Sequence, residues 1–404
     1  MGVMQRSLRP LFLDFVAQTS DTPLGLEVDR AQGVYIYDRA GKGYIDLISG
    51  IGVSVLGHCH PEVVEAVQAQ AARYMHTMVY GEHIQQPQVQ LAQALAAALP
   101  SSLCSVYFVN SGAEAVEGAM KLAKRATGRR EIVACREAYH GSTQGAASLN
   151  SDAYYTQAYR PLLPGIRHIG YNCMGDLARI TTETAAVFVE TVQGEAGVIP
   201  PQPAYLVALR ARCSEVGALL VLDEVQVGMG RTGTLWAFEQ FGIIPDVLLL
   251  AKGLGGGMPI GAFIANRELM KVLSFRPILG HITTFGGHPV SCAAALATLQ
   301  VLRNTPLVAW VQSKAQLFRT LLQHRCIREV RNAGLLMGVE LPSFEFVLAV
   351  MHYSMAHGVL TDWFLFNNRS VRIAPPLTIE PHEIRQACAV LLEAIEVTAR
   401  QQGL

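Results

Sequence analysis

The chain has 404 residues, half of them apolar and 16% charged, which excludes a disordered protein and leaves room for two domains of about 100–200 residues each. Lysine plus arginine balances aspartate plus glutamate at 32 each without a basic run, which argues against nucleic acid or an anionic membrane as a partner. Eight scattered cysteines without a C-x-x-C pair fit a reducing, cytoplasmic setting.

In chain order, the N-terminal stretch MGVMQRSLRPLFLDF lacks the apolar core and small-residue cleavage site of a leader. No later stretch reaches the roughly 20 apolar residues of a membrane span, so a soluble protein is expected. A hairpin follows: GVYIYD, turn residues Arg39–Gly43, then YIDLIS. From about Ser105 the pattern alternates. Apolar runs at Val106–Val109, Ile132–Cys135, Ala185–Val189, Leu219–Leu222, Val247–Leu250 and Gly261–Ala265 read as strands, with helical patterns such as Glu114–Thr127 and Tyr205–Val216 between them. Continuous apolar strands separated by helices predict an α/β fold with a mostly parallel central sheet covered on both faces. After Pro289 come long helices and a few strands, including Leu335–Leu341 and Val371–Ile373. We therefore expect a large domain at 51–290 and a smaller α+β domain built from 291–404 and the segment 1–50.

Four places carry chemistry-bearing residues. Asn110-Ser111-Gly112-Ala113-Glu114 joins the strand VYFV to a helix, and reads either as an ordinary N-cap or as a phosphate site on a helix N-terminus. Ala138-Tyr139-His140-Gly141 follows the strand EIVACR; an aromatic there either packs or stacks on a flat cofactor, and His140 is equally ambiguous. In LLVLDEVQ, Asp223 ends an apolar strand and needs a partner. Mg²⁺ in a nucleotide site would require a G-x-x-x-x-G-K-[ST] loop, which the sequence lacks; a cationic ring nitrogen is the other partner. In PDVLLLAKGLGGGMPIG, Lys252 ends an apolar run beside glycines, where desolvation makes an amine nucleophilic and leaves space for a flat ring. His58 and His60 flank Cys59 without a third ligand, so the segment is taken as a turn before a helix and no metal is expected.

In this order, Ser111-Gly112-Ala113, Tyr139, Asp223 and Lys252 resemble the class III pyridoxal-phosphate aminotransferases, which have fold type I. NSGAEAVEGAMKLAKRATGR, VETVQGEAGV, LLVLDEVQVGMGRTG, LAKGLGGGMPIGA and TTFGGHP extend the likeness from about Pro23 to Ile384. The resemblance implies pyridoxal 5′-phosphate as cofactor, Lys252 as its Schiff-base lysine and proton shuttle, and Asp223 on the pyridine nitrogen. Gln226 would meet the ring hydroxyl, with Val225 and Tyr139 on opposite ring faces and His140 beside them. Ser111, Gly112 and Ala113 would take the phosphate, with Thr284 of a second subunit, so a homodimer is implied. Glu195 would pair with Arg372 and open to admit the α-carboxylate of glutamate or 2-oxoglutarate.

The chain also departs from the pattern. Ser142 stands where acetylornithine and 4-aminobutyrate enzymes carry a carboxylate-binding arginine, as in many ω-amine enzymes. Ile51 resembles the acetylornithine group, and His288 replaces the usual asparagine of GGNP. The expected reaction moves an amino group from a primary amine or ω-amino acid to 2-oxoglutarate by a ping-pong mechanism. Pyruvate as acceptor is the alternative, followed by an aminomutase or racemase that needs no external oxo acid.

Overall fold

A computed structural model describes residues 7–404; the first six residues of the stretch read for a leader lie outside it. The N-terminal strands β1 (Val28–Gln32), β2 (Tyr35–Asp38) and β3 (Gly43–Asp46) form an antiparallel meander. The β2–β3 turn is closed by Asp38, whose Oδ1 accepts from the Ala40 and Lys42 N–H groups at 2.9 Å each. Strand β1 was not foreseen; its sequence VDRAQ is exposed along nearly its whole length and shows no apolar period. Helices α1 (Pro61–Arg73) and α2 (Gln86–Ala97) follow, α1 entered through the His58–His60 turn.

The central sheet contains β4 (Ser105–Val109), β5 (Glu131–Cys135), β6 (Ile166–Ile169), β7 (Thr184–Glu190), β8 (Leu219–Asp223), β9 (Val247–Leu250) and β10 (Gly261–Ala265). Its spatial order is β4-β10-β9-β8-β7-β5-β6. Strand β10 is antiparallel to both neighbours and every other pairing is parallel, so the expected mostly parallel α/β sheet is what forms. Side chains alternate across it. Leu220, Leu222, Leu248 and Leu250 enter one core; Val221, Val247 and Leu249 enter the other.

Helix α3 (Gly112–Thr127) covers the second core with Val116, Ala119, Met120 and Ala123. It begins on Ser111 as N-cap and ends at Gly128, whose left-handed φ of 70° stops the helix. Helix α4 (Tyr205–Val216) covers the first core with Tyr205, Leu206, Leu209 and Cys213. Helix α5 (Pro289–Asn304) packs on α1 and α2, and the expected division between residues 290 and 291 lies inside it.

The C-terminal region holds β11 (Glu329–Ala333), β12 (Leu336–Glu340), β13 (Val359–Leu360), β14 (Trp363–Phe364) and β15 (Asn367–Ile373). Four of these make an antiparallel sheet in the order β11-β12-β15-β14, flanked by α6 (Val311–Leu321), α7 (Phe344–Ala356) and α8 (Pro381–Gln401). Strand β13 instead pairs in parallel with β3, joining the N-terminal meander to the C-terminal region. Among the described residues no helix is long and apolar enough to cross a membrane.

Candidate active site

A cavity of about 440 Å³ opens at the carboxyl edge of the central sheet. In an open parallel sheet this is where crevices form, because loops diverge there. Ser111, Gly112, Ala113, Tyr139, His140, Ser142, Asp223, Val225, Gln226 and Lys252 all line it. Residues separated by more than 140 positions thus meet because their strands end at one level.

The β4–α3 junction builds one wall. Ser111 Oγ accepts from Glu114 N at 3.2 Å, and Glu114 Oε2 reaches back to Asn110 N at 2.7 Å. The first intrahelical bond runs from Ala115 N to Ser111 O, which leaves the Gly112 and Ala113 N–H groups at the cavity wall. Ser111 is the N-cap, and because the cap uses the Glu114 N–H it leaves those of Gly112 and Ala113 open to an anion. Gly112 is required by contact: a Cβ there would lie 2.9 Å from Val225 Cγ1.

Asp223 ends β8 beside Glu190 of β7, its partner in the parallel register. Its Oδ2 accepts from His140 Nδ1 at 2.7 Å and its Oδ1 from Val225 N at 2.9 Å. Burial pulls the His140 imidazole down, but the hydrogen bond and charge of Asp223, with Glu190 behind, hold it above its usual value. His140 is thus the buried side-chain partner of Asp223. The next residue, Glu224, points away and serves the fold, accepting from Thr191 Oγ1, Ala237 N and Phe238 N at 2.9, 2.7 and 2.6 Å.

Sequence reasoning missed Glu190. It is buried, lines the cavity, and accepts from Tyr139 N at 3.1 Å and Gly194 N at 2.8 Å. Burial pushes its carboxyl up to about 7. Its signal was present, since TAAVFVE ends an apolar strand in a carboxylate just as LLVLD does.

Lys252 follows β9 with φ of +45°, a left-handed backbone rarely adopted by side-chain-bearing residues and held at sites that surrounding structure fixes. Burial drives its ammonium below the usual lysine range, although Glu195, Asp223 and Glu190 pull the other way. Tyr139, on the far side, places its hydroxyl 3.0 Å from Ser142 Oγ at the exposed rim.

Behind the lining lies a buried ion pair. Arg372 Nη1 and Nη2 donate to Glu195 Oε1 and Oε2 at 2.8 and 3.0 Å, so the two residues meet as a bidentate fork. Burial opposes ionisation of Glu195, yet the Arg372 charge and hydrogen bonds hold its carboxyl below the usual range. Gln226 Nε2 also donates to Glu195 Oε1 at 3.3 Å, so Gln226 links cavity and fork.

Besides Glu195 and Arg372, two further expected residues, Ile51 and Thr284, are absent from the lining of the cavity in their own chain. Ile51 is exposed on a left-handed turn. Thr284 is exposed beside Thr283, whose Oγ1 accepts from Asn110 Nδ2 at 2.8 Å. Among the described residues no cluster of three or more His, Cys, Asp or Glu side chains is placed to hold a metal; His58 Nε2 instead meets Asp46 Oδ2 at 2.8 Å.

The residues 15–395 match the model of the family described as aminotransferase class-III. The chain is 41% identical to the acetylornithine aminotransferase of Methanopyrus kandleri over 91% of its length and 93% of that protein's. It is 40% identical to the putrescine aminotransferase of Pectobacterium atrosepticum, over 100% and 89%. A solved structure of the ornithine aminotransferase from Toxoplasma gondii, with PLP at partial occupancy in its active site, superposes with a TM-score of 0.91 at 29% identity, covering 98% and 95% of the two chains. The chain belongs to the class III aminotransferases, and its fold is that of fold type I. It is a transaminase whose cofactor is pyridoxal 5′-phosphate. The site fits that group: Gly112 permits close approach, helix N–H groups lie at one end, and Asp223, with two of its four or so acceptor positions used, lies at the other.

Proposed function

We propose that this cavity is the amino-transfer site and that its residues divide the work as follows. Ser111 Oγ and the N–H groups of Gly112 and Ala113 bind the phosphate, aided by Thr284 of the partner subunit in a homodimer. Val225 and Tyr139 hold the ring between them. Asp223, oriented by His140, would meet the ring nitrogen and favour its protonated form, and Gln226 would serve the ring hydroxyl. Bound there, the cofactor supplies an aldehyde carbon for the amine and a cationic ring that withdraws electrons. Lys252 Nζ would hold the cofactor at rest and would be the group placed to carry a proton to and from the substrate carbon. Its depressed basicity suits it to both tasks.

The donor is a primary amine or ω-amino acid, consistent with the named activities of the relatives, and the acceptor is 2-oxoglutarate. The Glu195–Arg372 fork supports that acceptor: a carboxylate that replaces Glu195 would find a buried, correctly shaped guanidinium. Pyruvate is the second reading. Ser142 at the rim favours it, together with a lining in which Lys252 is the sole lysine or arginine among the described residues. The eight free cysteines support a cytoplasmic setting.

The observation that carries this reading is the convergence of Lys252, Asp223 and the Ser111 turn on one cavity. Borohydride reduction of the loaded enzyme followed by peptide mapping tests it, with the cofactor's mass expected on Lys252; an adduct on another lysine sinks the assignment. A donor-by-acceptor screen decides the acceptor. A pyruvate preference of about tenfold or more in kcat/KM, or about 1.4 kcal/mol, selects the second reading.

A further inference from the structure

Arg372 is held by more than Glu195. Its Nε donates to Asp362 Oδ1 at 2.9 Å and its Nη2 to Trp363 O at 3.0 Å. Its backbone N donates to Asp362 O at 2.8 Å, and its Cζ stands 4.4 Å from the centroid of the Phe364 ring. All of these partners lie on the β14–β15 hairpin or just before it, the same piece of chain that carries Arg372. Glu195 comes from a loop after β7, 177 residues away. The arginine is therefore fixed to its own hairpin along the Nε side, whereas Glu195 meets only the Nη edge.

The charges are unequal. One guanidinium faces two carboxylates in direct contact, Glu195 and Asp362, and Asp46 adds further negative potential at Asp362. Lys252, another cation that acts on the fork, is pushed toward its neutral form by burial. Burial pushes the Asp362 carboxyl up to about 6, so above that pH an incoming carboxylate meets a cluster that is already net negative, and part of that excess belongs to a residue that does not need to move.

We infer that Asp362 is the positioning residue of the fork: it holds Arg372 in place when Glu195 releases it, and its charge limits how tightly the opened fork takes a second carboxylate. This rests on the reading that the fork receives the acceptor. Two substitutions separate the parts of the role. Asp362→Asn keeps an oxygen for Arg372 Nε but removes the charge, whereas Asp362→Ala removes both.

The test measures KM and kcat with 2-oxoglutarate on the loaded enzyme, and calorimetric binding of glutarate, a dicarboxylate without the reactive oxo group. Asp362→Asn is expected to lower both the KM and the glutarate Kd by about threefold, as loss of one nearby charge in a partly screened site should. Asp362→Ala is expected to raise KM about tenfold through misplacement of the guanidinium, and Asp362→Glu to restore it. In each case the change falls on KM more than on kcat. An Asp362→Asn enzyme with unchanged or weaker glutarate binding overturns the inference, as does an Asp362→Ala enzyme that behaves like Asp362→Asn. Should Asp362→Ala not fold, the glutarate Kd of Asp362→Asn decides alone. Arg372→Ala, measured in parallel, separates the two levels. Unaltered acceptor KM there defeats the reading of the fork as acceptor site, whereas a raised KM with unresponsive Asp362 variants defeats only the role of Asp362.

Discussion

The cavity floor and the fork behind it are built in opposite ways. The floor is a set of strand ends: Asp223, Glu190 and Lys252 stand at the carboxyl edge because β7, β8 and β9 are neighbours in one parallel register. Its Asp223 pairs with His140 at 2.7 Å, and Glu190 has backbone donors as its hydrogen-bond partners. The fork is a tertiary docking, in which a loop of the large sheet meets a hairpin of the small one and two carboxylates share one arginine. A floor made from register tolerates rearrangement poorly, whereas a fork made from docking has a side that can be released. The roles proposed above divide in the same way, with the chemistry assigned to the first and the exchange of carboxylates to the second.

Lys252→Ala tests the fixed side most severely. Turnover should fall on the order of 10²–10⁴-fold or more, since proton transfer at a positioned group contributes that much. Cofactor retention, followed by absorbance and mass, should persist through the Ser111 turn. Turnover within tenfold of the wild type would place the proton shuttle elsewhere. Asp223→Asn comes next, with a loss of about a hundredfold, because a neutral amide cannot form the charge-assisted bond to a protonated ring nitrogen. It should also lower the His140 pKa, as the imidazole loses the carboxylate that holds it up; NMR titration of that ring checks this.

Much of the floor was legible because its signals are local. An apolar run that ends in a charge marks a strand end, and that placed Asp223 and Lys252. The serine cap of α3 was equally plain, with Glu114 early and Lys124 and Arg125 late in the helix. Strand β6 escaped because Ile166-Arg167-His168-Ile169 lies at a sheet edge, has two polar residues at its centre, and carries neither an apolar run nor a period of two. The antiparallel direction of β10 escaped because composition does not encode direction. In the fork, Glu195 and Arg372 were reached through family likeness. Asp362 was not, since its meaning lies in a contact across a hairpin with a residue ten positions on.

Arg372→Ala probes the docked side. It leaves Glu195 buried and Asp362 half-buried without their cation, and breaking a buried pair typically costs about 3–5 kcal/mol. A clear drop in Tm is expected alongside a raised KM for 2-oxoglutarate. A smaller KM effect should follow for a simple monoamine donor. Unchanged Tm would mean that the fork relaxes into solvent and is not the buried element described here.

The smallest effect separates the two regions by pH. Burial pushes Glu190 from its usual 4.5 up to about 7, so between those values the folded chain binds a proton that the unfolded chain has released. Stability contributed by this group is therefore present below about pH 4.5 and lost as the pH rises through about 7, a change on the order of 3 kcal/mol at most. Glu195 has the opposite sign. Arg372 holds its carboxyl below the usual value, so its contribution is present above about pH 4.5 and is lost only as the pH falls through that lowered value. Glu190→Gln should leave stability near neutrality less dependent on pH, so that the Tm of the variant gains on that of the wild type from pH 5 to pH 8. It will not flatten the curve completely, because Glu224 is also pushed up to about 7 by burial and titrates in the same window. The readout is the difference in Tm between variant and wild type as a function of pH, not its absolute level. The amide brings a fixed penalty, because it has one oxygen to offer to the Tyr139 and Gly194 N–H groups where the carboxylate has two. A difference that stays constant across the range would show that Glu190 is already ionised in the folded chain, and that the floor, like the fork, neutralises its carboxylates with fixed partners.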